Sequence, residues 1–225
     1  MSDAQNPLWN RVVWIASWVL PPALMAVAYT VLALTSETDR SGDAWMAIGF
    51  AFVLILWLVF RVAVEGAGLS RALAVGDAEK LMEISTKQLG RRKGDGARAP
   101  YLVYKALAHE LRGEHAEAEA TVREAKPMKE VHALLAASVH IIALVELGRA
   151  GEARPLVASE LEPRATRVDR RLEPMAHHYA HLARARVLAS EGKRTEANAE
   201  LSKVIDDIRA GTALRARATN LRVVL

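Results

Sequence analysis

Cysteine is absent from this chain. That excludes disulfides, a thiol nucleophile and any thiolate metal site. Aromatic residues are few, at 5% of 225 residues, and every tryptophan and phenylalanine lies before residue 61. The remainder therefore offers almost nothing on which bases could stack. Nucleic acid is not expected as a partner, in spite of a sequence pI near 9.5. Alternation of β-branched and polar residues is nearly missing beyond residue 66, which argues against a sheet. The glycine- and base-rich run Gly90-Arg91-Arg92-Lys93-Gly94-Asp95-Gly96 lacks the Gly-Lys-Ser/Thr ending and the preceding strand of a phosphate loop. Paired carboxylates, a nucleophile elbow and a metal box are missing too. The chain is not expected to be an enzyme, and no cofactor or metal is implied.

What the chain does have is two long apolar runs near its start. Val12 to Leu34 is 23 residues without a charge, and Ala44 to Val64 is broken only by Arg61. At about 1.5 Å per residue, the first is long enough for a hydrocarbon core of about 30 Å. The second is long enough if Arg61 snorkels to the headgroups. The length of the first run and the poor cleavage site after it argue against a signal peptide. Pro21-Pro22 inside it predicts a kink. Trp9, Trp14 and Trp45 fall near span ends, where indole prefers the interface. The expectation is a two-span hairpin over residues 12–34 and 44–64, within a region 1–66. The turn between the spans holds one base and three acids, whereas bases crowd after the second span. Both termini and the rest of the chain are therefore expected in the cytoplasm.

Residues 67–225 carry 27 of the 30 bases and 21 of the 26 acids, and form the second expected domain. Apolar residues recur there at spacings of three and four, so helices are expected throughout. Turn signals fall at Gly76-Asp77, Gly90 to Gly96, Gly113-Glu114, Lys126-Pro127, Gly148 to Gly151, Glu162-Pro163, Glu173-Pro174, Gly192-Lys193 and Gly211. Short turns between helices make antiparallel neighbours. The fold class is all-α.

Three stretches share a form: Gly113 with Ala118, Gly148 with Ala153, and Gly192 with Ala197, each alanine preceded by a glutamate. Val122, Val157 and Leu201 stand four residues after those alanines. Gly76 opens a weaker copy. The alanines should lie against the partner helix, and Ala116 and Ala150 on exposed turns. This pattern resembles the tetratricopeptide repeat, a helix-turn-helix unit of about 34 residues that stacks into an α-solenoid. The match is divergent: the aromatic positions of the first helix are missing, and Glu162 to Glu173 reads as an insertion. A hairpin followed by such repeats and a capping helix is also similar in layout to bacterial inner-membrane proteins of the HemY type.

The resemblance implies a groove lined by the first helix of each unit. Carried onto this sequence it selects Val103, Leu107, Glu110, Ser138, Ile142, Val145, Leu182 and Arg186. The implied function is a membrane-anchored protein–protein interaction scaffold or adaptor at the cytoplasmic face. The alternative is an accessory subunit of a membrane enzyme or transport complex. Arg91, Arg92 and Lys93 are candidates for anionic headgroups. His177, His178 and His181 form the one histidine cluster. His177 and His181 share a helix face, but without an acid at ligand spacing they read as interhelical or exposed polar residues.

Overall fold

Helix ends among the described residues follow glycine more than proline: Pro100 and Pro155 lie inside helices. The computed structural model describes residues 49, 52–57, 67–126 and 129–224. The two expected membrane spans lie almost wholly outside the described residues; residues 49 and 52–57 are helical. Among the described residues no helix is long and apolar enough to cross a membrane. Residues 69–225 form one compact unit. Its helices are α1 (67–75), α2 (Ala78–Arg91), α3 (Asp95–Leu111), α4 (His115–Glu124) and α5 (Glu130–Glu146). Then follow α6 (Ala150–Leu156), α7 (Glu162–Arg167), α8 (Pro174–Ser190), α9 (Arg194–Ile205) and α10 (Thr212–Val224). The described residues are all-α, as expected.

Four turns repeat one geometry. Gly76, Gly113, Gly148 and Gly192 have φ between 74° and 77°. Only glycine adopts that left-handed conformation without cost, and it closes the preceding helix. The next residue then reaches back five positions. Asp77 N–H donates to the Ala72 carbonyl at 2.8 Å, Glu114 to His109 at 2.9 Å, Arg149 to Leu144 at 2.8 Å and Lys193 to Leu188 at 2.9 Å. The residue five beyond each glycine is fully buried: Leu81, Ala118, Ala153 and Ala197. Ala116 is exposed and Ala150 half-buried, and each lies in the first turn of its helix rather than free in a turn.

That contrast makes a prediction. Replacing Ala153 by Leu forces methylenes into a contact without space, and should cost roughly 1–3 kcal/mol. Replacing Ala116 by Leu should change stability by under about 0.5 kcal/mol. Urea unfolding of residues 67–225 measures both, and equal tolerance would mean that the spacing has no packing role.

At Glu162-Pro163 the structure departs from the sequence expectation. No turn occurs there; α6 runs through a π turn, Val157–Leu161, straight into α7. Glu162 N–H donates to the Val157 carbonyl, one residue further back than in an α-helix. Pro163 has no N–H to donate, and its ring would crowd a normal turn. The wider π turn takes up the mismatch.

The centre of the unit is α5 and α8. In α5 ten of the eleven residues from Leu134 to Leu144 are buried, and in α8 Ala176 to Ala183 are buried without a break. A helix buried on all sides must have neighbours on all sides. α5 packs on α3, α4, α6 and α8, and α8 packs on α5 and α9.

The last helix of the unit returns to its first. Thr212 Oγ1 donates to the Ala74 carbonyl at 3.4 Å, across 138 residues. A Cβ on Gly211 would stand 2.6 Å from that carbonyl oxygen, and one on Gly76 would stand 2.7 Å from Ala213 Cβ. Leu214, Ala218 and Leu221 bury one face of α10.

Candidate interaction site

The eight groove residues sit on α3, α5 and α8, each of which runs into one of the repeated glycine turns. Val103, Leu107, Ser138, Ile142 and Leu182 are 0% exposed, and Glu110 is 2% exposed. Val145 and Arg186 are half-buried. Ser138 turns its hydroxyl onto its own helix, donating to the Leu134 carbonyl at 2.8 Å. Six of the eight therefore face protein in this conformation; only Val145 and Arg186 keep access to solvent. Arg186 Nη1 is 2.5 Å from Glu146 Oε1, a contact that ties α8 to α5.

α10, which the sequence reading treated as a cap, reaches one of these residues. Arg217 of α10 forks onto Glu110 of α3, with Nη1 donating to Oε2 at 2.8 Å and Nη2 to Oε1. Burial opposes the charge on Arg217, but the hydrogen bond and charge of Glu110 outweigh it and raise its pKa above the usual range. Tyr179 of α8 is fully buried beside the pair. Burial pushes its phenol up, and the Glu110 charge acts in the same direction. Arg217 and Tyr179 were not singled out from the sequence. A signal was present: Leu214, Ala218 and Leu221 form an apolar stripe at helical spacing, and Arg217 stands beside it.

At the start of α8 the three histidines are all buried, at 8%, 1% and 7% for His177, His178 and His181. Each has its own partner. His177 Nε2 donates to the Val168 carbonyl at 2.9 Å, in the loop between α7 and α8. His178 Nε2 is 3.1 Å from Asp207 Oδ2, and His181 Nδ1 is 2.6 Å from Glu200 Oε2 of α9. Of the two readings the sequence left open, interhelical or exposed polar residues, none of the three is exposed; His181 joins α8 to α9, while His177 and His178 meet loop residues. The acids that serve them lie 19 and 29 residues away, beyond any local motif. Among the described residues no three ligating side chains converge as a metal site would require.

Burial lowers the pKa of His177 and His178, with the Val168 carbonyl and Asp207 respectively opposing it. Neutral His178 donates to the Asp207 carboxylate. Asp207 is held well below the usual carboxylate range, first by hydrogen bonds from Arg209 and then by His178. Burial pushes Glu200 up, but hydrogen bonds from His181 and Lys203 outweigh it and set it at about 2.

The pH dependence follows from these directions. A histidine with lowered folded pKa contributes stability above its unfolded value of about 6.5, and loses it as pH falls below that. The two carboxylates contribute above about 4.5 and lose it lower still. Stability should therefore be level near neutrality, fall below about pH 6.5, and fall again below about pH 4.5. The urea midpoint against pH is the measurement. Replacing His178 by Gln should reduce the first fall, the rest coming from His177, His132 and His140, whose pKa values burial also lowers, and a wild-type midpoint constant from pH 7 to about 5 would sink the account.

The first basic run is solvated: residues 91–98 are exposed, and the Arg92 guanidinium lies 5.8 Å from the Tyr101 ring centre. In the insertion Arg164 pairs with Glu160 and Arg167 with Glu130, both at 3.1 Å. No protein-family model matches this chain, and comparison with curated proteins and with solved structures gives no match either.

Proposed function

We propose that this chain is a membrane-anchored interaction scaffold or adaptor, built from tetratricopeptide-like repeats that stack as a solenoid at the cytoplasmic face. The observation that carries the reading is the recurrence of one turn: glycine near φ 75°, a hydrogen bond five residues back, and a fully buried residue five ahead, four times over. Stacked helix pairs of this kind hold extended or helical partner segments. The membrane anchor rests on the two apolar runs. Within the groove set, the accessible pair Val145 and Arg186 is where a partner would first be met.

A second reading is favoured by the burial of the other six groove residues. A closed helical body suits docking as a whole against a neighbouring subunit, so the chain would then be an accessory component of a membrane enzyme or transport complex. Catalysis is assigned to no residue in either reading.

Photocrosslinking in native membranes separates them. A benzoylphenylalanine at Val145 should give a discrete protein adduct, while one at Glu117, exposed on α4, should give none in the scaffold reading. Adducts from both positions to one constant neighbour would favour the accessory subunit. No adduct from either position would defeat both. An outward-facing reporter fused after Leu225 would defeat the cytoplasmic orientation.

A further inference from the structure

Charge is unevenly shared over the described unit. Several arginines already face acids: Arg112 meets Glu79 and Glu114, Arg123 meets Glu119, and Arg149 meets Glu119 and Glu152. The turn from α2 to α3 differs. Residues 87–98 hold five bases, Lys87, Arg91, Arg92, Lys93 and Arg98, against one acid, Asp95. All of them are exposed. Among the described residues none of the five bases forms an ion pair; Arg92 lies over the Tyr101 ring instead. Glu83, one turn before Lys87 on α2, is the next acid along the chain, and even with it the balance is five bases to two acids.

The glycines of this run do not make it slack. Gly90 lies inside α2, and Arg92, Lys93 and Gly94 alone separate the two helices. The Arg92 N–H donates to the Gln88 carbonyl at 3.0 Å, and the Arg98 N–H to the Gly94 carbonyl at 3.2 Å. The bases are carried on hydrogen-bonded helix ends, so little backbone order is lost on contact.

Position is a second, independent observation. The compact unit begins at Leu69, five residues after Val64, where the second apolar run ends. Five residues of chain reach about 18 Å at most. From Leu69, α1 runs into the turn Gly76-Asp77 and α2 runs back along it, with Leu69, Ala72, Leu73 and Leu81 sharing one core. α1 rises about 9 Å from Leu69 to the turn, and α2 rises about 20 Å back. The basic turn therefore stands at the end of the unit from which α1 is entered, and overhangs Leu69 by about 10 Å.

We propose that the α2–α3 turn docks on the surface of an anionic bilayer, with Lys87, Arg91, Arg92, Lys93 and Arg98 meeting lipid phosphates. The contact rests on the anchor proposed above, and it names the face that the tethered unit turns to the lipid. Bases within a Debye length of about 8 Å of such a surface are drawn to it, and their attractions add. A tether makes the encounter intramolecular, so a contact too weak to hold a free protein suffices. Nucleic acid suits the turn less. Stacking needs open aromatic faces, and the one ring here, Tyr101, is half-buried beside Arg92.

The absence of cysteine makes the test direct. Ala97→Cys, at an exposed position in the first turn of α3, is labelled in the full chain with a donor dye. The chain is placed in nanodiscs of phosphatidylcholine alone or mixed with phosphatidylglycerol, each with an acceptor on a headgroup. Energy transfer is expected to be about twofold higher in the anionic discs. Transfer from Glu117→Cys, beyond the far end of α3, should not rise. Arg91→Gln, Arg92→Gln and Lys93→Gln together should return position 97 to its phosphatidylcholine value, as should salt that shrinks the Debye length to about 3 Å. Lys87→Gln with Arg98→Gln, which spares the turn itself, should lower transfer part-way. Equal transfer in the two lipids, or a rise that survives the triple variant, overturns the docking and leaves the anchor standing. Binding of single-stranded RNA through the same three bases, with no rise on anionic lipid, assigns the turn to nucleic acid and overturns the lipid contact. A chain shed from the discs overturns the anchor, and the inference with it.

Discussion

Removing the Glu110 carboxylate, as in Glu110→Ala, is expected to destabilise the helical unit by roughly 3–5 kcal/mol. The Glu110 side chain is 0% exposed and takes both arms of Arg217. Without it the Arg217 charge is left where burial already opposes it. The cost is that of a half-buried charge left without its partner, eased by the quarter of the Arg217 side chain that water reaches, and not the net worth of the pair. A double variant, Glu110→Leu with Arg217→Leu, should therefore lie closer to the parent than Glu110→Ala does. Urea unfolding of all three at neutral pH checks this. A Glu110→Ala loss under about 0.5 kcal/mol would mean that α10 does not hold the first half of the unit through this pair. The result bears on function, since Glu110 is itself one of the groove residues of α3.

Gly211→Ala should cost roughly 1–3 kcal/mol or more, for a different reason. The new methyl would stand 2.6 Å from the Ala74 oxygen and 2.8 Å from its Cα. Both are backbone atoms of α1, so no side chain can swing away. Either α1 or the start of α10 must move, and Thr212 would lose its hold on Ala74. Gly151→Ala is the control: it lies within α6 with nothing within 4 Å of the added Cβ. There the substitution should stabilise by about 0.5 kcal/mol, because alanine loses less freedom in a helix than glycine does. One chemical change thus has opposite signs at two sites. If Gly211→Ala also stabilised, the head-to-tail approach of α1 and α10 would be refuted.

Local physics was legible in the sequence from particular residues. Gly76, Gly113, Gly148 and Gly192 were placed in turns because glycine is a turn signal between helical stretches, and each has positive φ. Ala118, Ala153 and Ala197 were expected in close contacts and are buried. Glu173-Pro174 was read as a turn, and Pro174 opens α8 directly after it. Pro163 carries the same local signal, yet its helix continues, because a π turn absorbs the proline and the packing of α6 and α7 against α5 keeps them in line. Strong local signals fix where helices can stop; neighbours decide whether they do.

The long-range pairs were another matter. His178 with Asp207, His181 with Glu200 and Glu110 with Arg217 join residues 29, 19 and 107 apart. Nothing in a helical period encodes such a meeting. By itself the sequence determined that residues 67–224 are helical, where the repeated turns fall and which alanines stand at the close contacts, because each follows from the conformations open to one short stretch. Only the tertiary structure decided that α10 returns to α1 and α3, that the predicted groove is largely enclosed, and which acids the buried histidines meet. Those outcomes depend on summed helix packing angles and on burial shared between distant segments, and a chemically suitable partner gives no hint of its address until the helices are stacked.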